Sequence, residues 1–507
     1  MIINPYSFTT AGPPPAVYNE ITVLQDLGQT ANIQTYMRAR AAGSRHGGTD
    51  VVLPDPTYAT DELTTLAYNT WTLNECGYRV KRLTQHDSGL PTTGNNEALR
   101  SERMVTTVRD SNGKRLFWSK HKSNSIIVFE LDTITRDCTY LKEVTITAIT
   151  DTDQRVLIFP HPTEPDTVIY PVGTQIRKTN IRTASSFSTH TVIATLPYTV
   201  PDKWANNDGN CIGGTRILVG DGSNTSFFVF DIVTGLACRT TNGVSYSDVA
   251  LASRTTFTFT DLDYAFLTHD GEYVLAVCRG TSGPDGGSGL YCYDLSFNYI
   301  GKVYGSTGHY TRNISTFTGS PKNTVMTKVT AGQTGDFSGA FATAEDIAIS
   351  FTPSWDGSVW SLTRQAIRTR KWTYSNNNPA GGQMSGIPGI QNVFAKAEKT
   401  AYTSTTQIEA NYVLGDFWGK EEIWINFTDQ ANHWRRLGKN LTRRNSPTNS
   451  QVEINILDVG ADGTIYLVLY SYIGPAEGLT TNILSSKDMW LFVVPPVADD
   501  ATVQSYM

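Results

Sequence analysis

Apolar residues in this chain come in short runs, broken by glycine, asparagine and aspartate. Ile127-Val128-Phe129, Phe228-Val229-Phe230, Tyr291-Cys292-Tyr293, Ile465-Tyr466-Leu467-Val468-Leu469 and Met489-Trp490-Leu491-Phe492-Val493-Val494 are continuous rather than alternating. Each is too short for a helix and rich in β-branched and aromatic residues. Each therefore predicts a strand with both faces covered.

Two elements recur around these runs. The first is a tight turn that leads straight into a strand: Asn112-Gly113, Asp270-Gly271, Asp356-Gly357 and Asp462-Gly463. Such dipeptides supply the positive φ of a hairpin turn. The second is an aromatic-aliphatic strand ending in an acid, at Glu130, Asp231 and Asp294, with a weaker copy at Val168-Ile169-Tyr170-Pro171. Copies are spaced by roughly 40 to 60 residues, the length of one four-stranded propeller blade. Stacked blades cover both faces of every sheet without helices, whereas a sandwich would show cleaner alternation.

The expected fold is all-β: a β-propeller of about seven four-stranded blades, with six or eight as alternatives, over residues 56–497. Met489–Val494 is expected to close the ring by pairing near its start. Residues 311–345 and 373–410, rich in Thr, Ser, Gly and Asn, read as surface insertions. Residues 498–507 read as a tail.

Residues 1–55 differ from the rest. Gly12-Pro13-Pro14-Pro15 must be extended because each proline fixes φ and lacks a donor. A short helix is expected from Ala31 to Ala42, with Ile33, Tyr36, Met37 and Ala41 on one face and Gly43 as its cap. This stretch reads as an anchoring arm, with Asn4, Pro5, Tyr6, Phe8, Pro13, Pro14 and Pro15 as contact residues.

Composition narrows the function classes. A net charge of −6 argues against a general nucleic-acid binder. No apolar stretch is long enough for a transmembrane helix, and Met1–Tyr6 lacks the pattern of a secretory signal. Six cysteines occur without a Cys-x-x-Cys pair, so reduced, buried thiols are expected; Cys278 and Cys292 leave room for one disulfide.

Candidate chemistry is sparse. None of the eight histidines sits in a metal-binding spacing. Gly286-Gly287-Ser288-Gly289 reads as a hairpin loop rather than a nucleophile elbow. Ser354–Trp360 resembles the Asp-box of sialidase-type propellers, without the residue that usually separates Asp from Gly, and that box is a structural turn. No cofactor is expected; for calcium, Asp151-Thr152-Asp153 and Asp261-Leu262-Asp263 are the candidate places. No catalytic residue is assigned.

One region is charge-asymmetric: residues 361–450 hold twelve basic side chains against six acidic ones, with tryptophans interleaved. Arg364, Arg368, Arg370, Lys371, Trp372, Trp434, Arg435, Arg436, Lys439, Arg443 and Arg444 form a candidate docking patch for an acidic partner.

The opening Ile2-Ile3-Asn4-Pro5-Tyr6-Ser7-Phe8 resembles the first residues of many virion proteins of tailed bacteriophages, especially tail-associated ones. The resemblance implies a non-enzymatic structural subunit, assembled in the host cytoplasm and present in several copies. Its arm would anchor to the particle while the propeller contacts other subunits or the host surface. The competing readings are a propeller-borne carbohydrate-active enzyme and a glycan-binding module without chemistry.

Overall fold

A computed structural model describes residues 67–73, 79–85, 89–92, 106–122, 124–146, 158–200, 215–223, 225–243, 245–268, 271–305, 310–315, 323–329, 345–371, 384–386, 393–397, 422–427, 434–439, 451–459, 464–472 and 489–494. The expected arm, its short helix and the tail lie outside the described residues. Those residues form seven antiparallel sheets, and the only helical element among them is a single 3₁₀ turn, Leu251–Ser253.

Two short strands open the described chain, β1 (Trp71–Leu73) and β2 (Arg79–Arg82). The first sheet follows: β3 (Lys114–Lys122), β4 (Ser125–Asp132) and β5 (Asp137–Thr145). The second holds β6 (Phe159–Pro160), β7 (Thr167–Val172), β8 (Gln175–Asn180) and β9 (Thr191–Thr195). The third holds β10 (Arg216–Gly220), β11 (Ser226–Asp231), β12 (Leu236–Thr241) and β13 (Ser245–Val249), with β14 (Phe257–Thr258) beside β11.

The fourth comprises β15 (Leu262–Leu267), β16 (Val274–Cys278), β17 (Gly289–Tyr293) and β18 (Tyr299–Tyr304). The fifth comprises β19 (Tyr310–Ser315), β20 (Asn323–Val329), β21 (Glu345–Trp355) and β22 (Trp360–Lys371). The sixth comprises β23 (Met384–Gly386), β24 (Val393–Ala397), β25 (Glu422–Phe427) and β26 (Trp434–Lys439). The seventh joins β27 (Gln451–Val459), β28 (Ile465–Tyr472) and β29 (Met489–Val494) to β1 and β2.

The sheets succeed one another as propeller blades. Each neighbouring pair from the first to the fifth shares one hydrophobic core, and the seventh shares one with the first. β19 lies against β23 and β23 against β27, which completes the circuit. The continuous apolar runs are explained by this stacking. On the third sheet Ile217, Val219, Phe228 and Phe230 enter the core shared with the second sheet. Their alternates Leu218, Phe227 and Val229 enter the core shared with the fourth. Period two persists, but both phases are buried.

Blade regularity needs correcting. Five sheets, the second to the sixth, are four-strand meanders in chain order, so the propeller has five regular blades instead of about seven. The first sheet has three strands because its inner segment, residues 106–110, is only partly laddered. Thr107 N donates to Leu116 O and Asp110 N to Lys114 O, while the Thr107 hydroxyl replaces a carbonyl in accepting Leu116 N. The seventh sheet is composite, since β29 pairs with β28 on one side and with β2 on the other. The first and last described strands meet there, as the Met489–Val494 pattern led us to expect.

Two further readings change. All of β19 but Tyr310, and all of β20, fall within 311–345, and β23 and β24 within 373–410, so these stretches supply sheet strands as well as connections. Their Thr- and Gly-rich text hides strands because apolar runs are short. Cys278 and Cys292 do not face each other: Cys292 belongs to the core between the fourth and fifth sheets and Cys278 to the core between the third and fourth. Both are buried thiols without a disulfide, on opposite faces of one sheet.

Candidate contact surface

The second recurring sequence element resolves into a turn brace. Asp231 Oδ1 accepts the N–H groups of Val233 (2.9 Å) and Thr234 (3.0 Å). Asp294 Oδ1 accepts those of Ser296 (2.8 Å) and Asn298 (2.9 Å). On the first sheet the same post is held by Asp132, which takes Ile134 (2.9 Å) and Thr135 (3.1 Å); Glu130, two residues earlier, points elsewhere. Carboxylate oxygens satisfy turn N–H groups that no ladder reaches.

The brace at the tip of the fifth sheet is Asp356, whose Oδ1 accepts Ser358 N (2.8 Å) and Val359 N (2.7 Å) between β21 and β22. These bonds from Val359 and Ser358 hold its carboxyl below the ordinary value. The Asp-box-like text is therefore a hairpin turn, with Gly357 at φ 104°.

Three of these turns hold an aliphatic side chain out in solvent. Ile134 is 74% exposed, Val233 55% and Val359 62%. Each follows its bracing aspartate by two or three residues. Val192, on the last strand of the second sheet, β9, and Leu236 are exposed as well, and Gly235 lies close against the Ile193 carbonyl. Sequence reading missed these residues, although Asp-x-Ile/Val at a strand end was a usable signal for Ile134 and Val233.

The basic docking patch is divided between two sheets. Arg364, Arg368, Arg370 and Lys371 lie along β22, the last strand of the fifth sheet; Trp434, Arg435, Arg436 and Lys439 lie on β26, the last of the sixth. Trp372, Arg443 and Arg444 lie outside the described residues, as do the arm residues from Asn4 to Pro15. The register opposes Arg370 with Asp346, Lys371 with Glu345 and Lys439 with Glu422. Charged residues on terminal strands blunt edge-to-edge pairing, a role this placement suits. Arg364 is committed internally: its Nη1 donates to Lys302 O (3.1 Å) and Val303 O (3.3 Å), tying the fifth sheet to the fourth.

Buried charge is spent between sheets. Asp458 on β27 receives Arg109 in a two-pronged pair and lies 2.8 Å from Arg115 Nε, joining the seventh sheet to the first. Burial draws the Arg115 guanidinium below its ordinary value. Arg182 binds Asp166 on its own sheet and Glu130 on the first. Burial pushes the Glu130 carboxyl up, but hydrogen bonds from Lys114 and Arg182 outweigh it and hold it low. Arg254 clamps Asp221 at 2.9 and 2.8 Å within the third sheet.

Of the two candidate calcium places, Asp151–Asp153 lies outside the described residues. At the other, Asp263 pairs with Arg279, and the Asp261 carbonyl accepts Arg279 N. Among the described residues no group of three or more His, Cys, Asp or Glu is placed to hold a metal, and no helix is long and apolar enough to cross a membrane.

No protein-family model matches the chain, and no curated protein does. Among solved structures it is similar to prolyl oligopeptidase B from Galerina marginata, at 11% identity and TM-score 0.38, over 76% of this chain and 50% of that one. The chain thus spans half the length of that protein. It is also similar to the WD40 repeats of RRP9, at 9% identity and TM-score 0.34, over 78% of this chain and 96% of that one. At these scores neither likeness bears on activity; the propeller rests on the chain's own sheets.

Proposed function

We propose that this chain is a non-enzymatic structural subunit that works by protein–protein contact, as a tail- or adsorption-associated virion protein of a tailed phage. One observation carries the contact reading: rigid, aspartate-braced turns hold Ile134, Val233 and Val359 in solvent. Aliphatic side chains on a backbone already fixed by its brace cost little extra entropy to order when a partner binds. The virion reading is supported by the resemblance of Ile2–Phe8. Copies of this chain and other virion subunits are the expected partners, with a host-surface glycan or receptor as a further one. Mass spectrometry of purified phage particles tests the reading. Peptides of this chain, in several copies per particle, are expected; their absence from particles would overturn it.

A further inference from the structure

Among the described residues, tight turns are braced by the carboxylates and amide of Asp132, Asp231, Asp356 and Asn180 and by the Ser223 hydroxyl. Each accepts backbone N–H groups from residues two and three positions on. His161 fills the same post in the turn between β6 and β7. Its Nδ1 lies 3.3 Å from Thr163 N and 3.1 Å from Glu164 N. Two donors aimed at Nδ1 require that nitrogen to be unprotonated, so the ring proton sits on Nε2, 3.4 Å from Glu164 Oε1. The imidazole itself is buried.

The far end of this turn belongs to a joint between sheets. Asp166, at φ 58°, closes the turn and receives the Arg182 guanidinium, which also binds Glu130 on the first sheet. Lys142 of the first sheet donates at 2.6 Å to the carbonyls of both Arg182 and Ala184. Turn 161–166 thus positions one member of the charge cluster that holds the first and second sheets together.

We propose that His161 makes this joint acid-sensitive: a second proton turns Nδ1 from acceptor to donor, expels two backbone N–H groups, opens the turn and frees Asp166 from Arg182. The charged groups facing the ring are Glu164 on its own turn, which favours protonation, and Lys178 on β8, which pairs with Glu164 and opposes it. Asp166, Arg182, Glu130 and Lys114 form the cluster beyond the turn. Burial dominates, so the imidazole sits below its ordinary value of 6.5. The neutral ring is the folded form. Its contribution is therefore complete above about pH 6.5 and is lost as pH falls through the lowered folded value. The Asp132 and Asp356 carboxyls are held below their ordinary value and so lie outside that window, and an asparagine amide carries no titrating proton.

His161→Asn tests the idea, since the amide oxygen can replace Nδ1 and does not titrate. Hydrogen exchange of the 161–185 segment, corrected for intrinsic rate, is measured from pH 7.5 to 5. The unmodified protein is expected to lose protection by about tenfold or more relative to the variant. Parallel profiles for the two proteins would overturn the proposal. Nitrogen-15 spectra of the His161 ring in the unmodified protein give a second reading if the variant does not fold. A proton on Nε2 at pH 7.5 supports the mechanism, and one on Nδ1 refutes it.

Discussion

Asp458 and Arg109 stand 349 positions apart in sequence, yet the carboxylate meets the guanidinium in two hydrogen bonds, at 2.9 and 3.0 Å. The same carboxylate neutralises Arg115, whose side chain is mostly buried. Beside them the Thr106 hydroxyl donates to Leu457 O, and Tyr466 reaches across to Thr133 O. Ring closure is thus a side-chain contact as well as the β2–β29 ladder.

Asp458→Ala should leave Arg115 buried without its counter-charge. We expect a loss of about 3–5 kcal/mol in denaturant unfolding, the usual cost of breaking a buried pair from one side. A change below about 1 kcal/mol would show that closure rests on the backbone ladder alone.

Arg182→Ala should separate the first and second sheets locally. Because that side chain is partly exposed, the expected cost is smaller, about 1–3 kcal/mol. Glu130 loses a hydrogen-bond donor in this variant, so its carboxyl should titrate higher; carbon-13 NMR of labelled glutamate would read the shift directly.

Acid should act in a second window below that of His161. Glu130, Asp132 and Asp221 are all held below their ordinary values, by hydrogen bonds that outweigh burial. Their stabilisation is present above the ordinary carboxylate range, about pH 4, and is lost as pH falls through the depressed values. A melting-temperature profile should therefore fall in two steps, and His161→Asn should remove only the upper one.

Gly243 has φ +75°, and a Cβ built there would come within 2.4 Å of Trp355 ring atoms, far closer than any real contact. The β12–β13 turn of the third sheet is therefore seated against the tip of the long β21–β22 hairpin of the fifth. Gly243→Ala should cost about 1–3 kcal/mol and shift tryptophan fluorescence as the Trp355–Trp360 pair, 5.3 Å between centroids, is displaced.

Replacing Ile134, Val233 and Val359 together with serine should leave unfolding within about 0.5 kcal/mol per site, since all three side chains are exposed. Incorporation into particles, measured by quantitative mass spectrometry, should fall. Undiminished incorporation would remove these tips from the contact surface.

Much of the scaffold was legible locally. Gly113 and Gly357 adopt positive φ, and Asp231 and Asp294 brace turns where strand and acid adjoin in the text. Glu130 was aligned with these two, yet Asp132 is the brace, because Glu130 reaches Arg182 on the next sheet. The charged patch was a contiguous stretch of sequence, but its described members divide between β22 and β26, with Arg370, Lys371 and Lys439 in register with Asp346, Glu345 and Glu422. His161, one of eight histidines without a metal-binding spacing, shows its role only through the backbone N–H groups it accepts.

The strongly apolar strands, their turn chemistry and their two-sided burial follow from short-range pattern, because backbone φ and period-two packing are decided within a few residues. Which acid meets which arginine, which cysteine faces which core, and how many blades are regular depend on contacts hundreds of positions apart. Those contacts exist only once the circuit closes at Arg79–Arg82 and Met489–Val494.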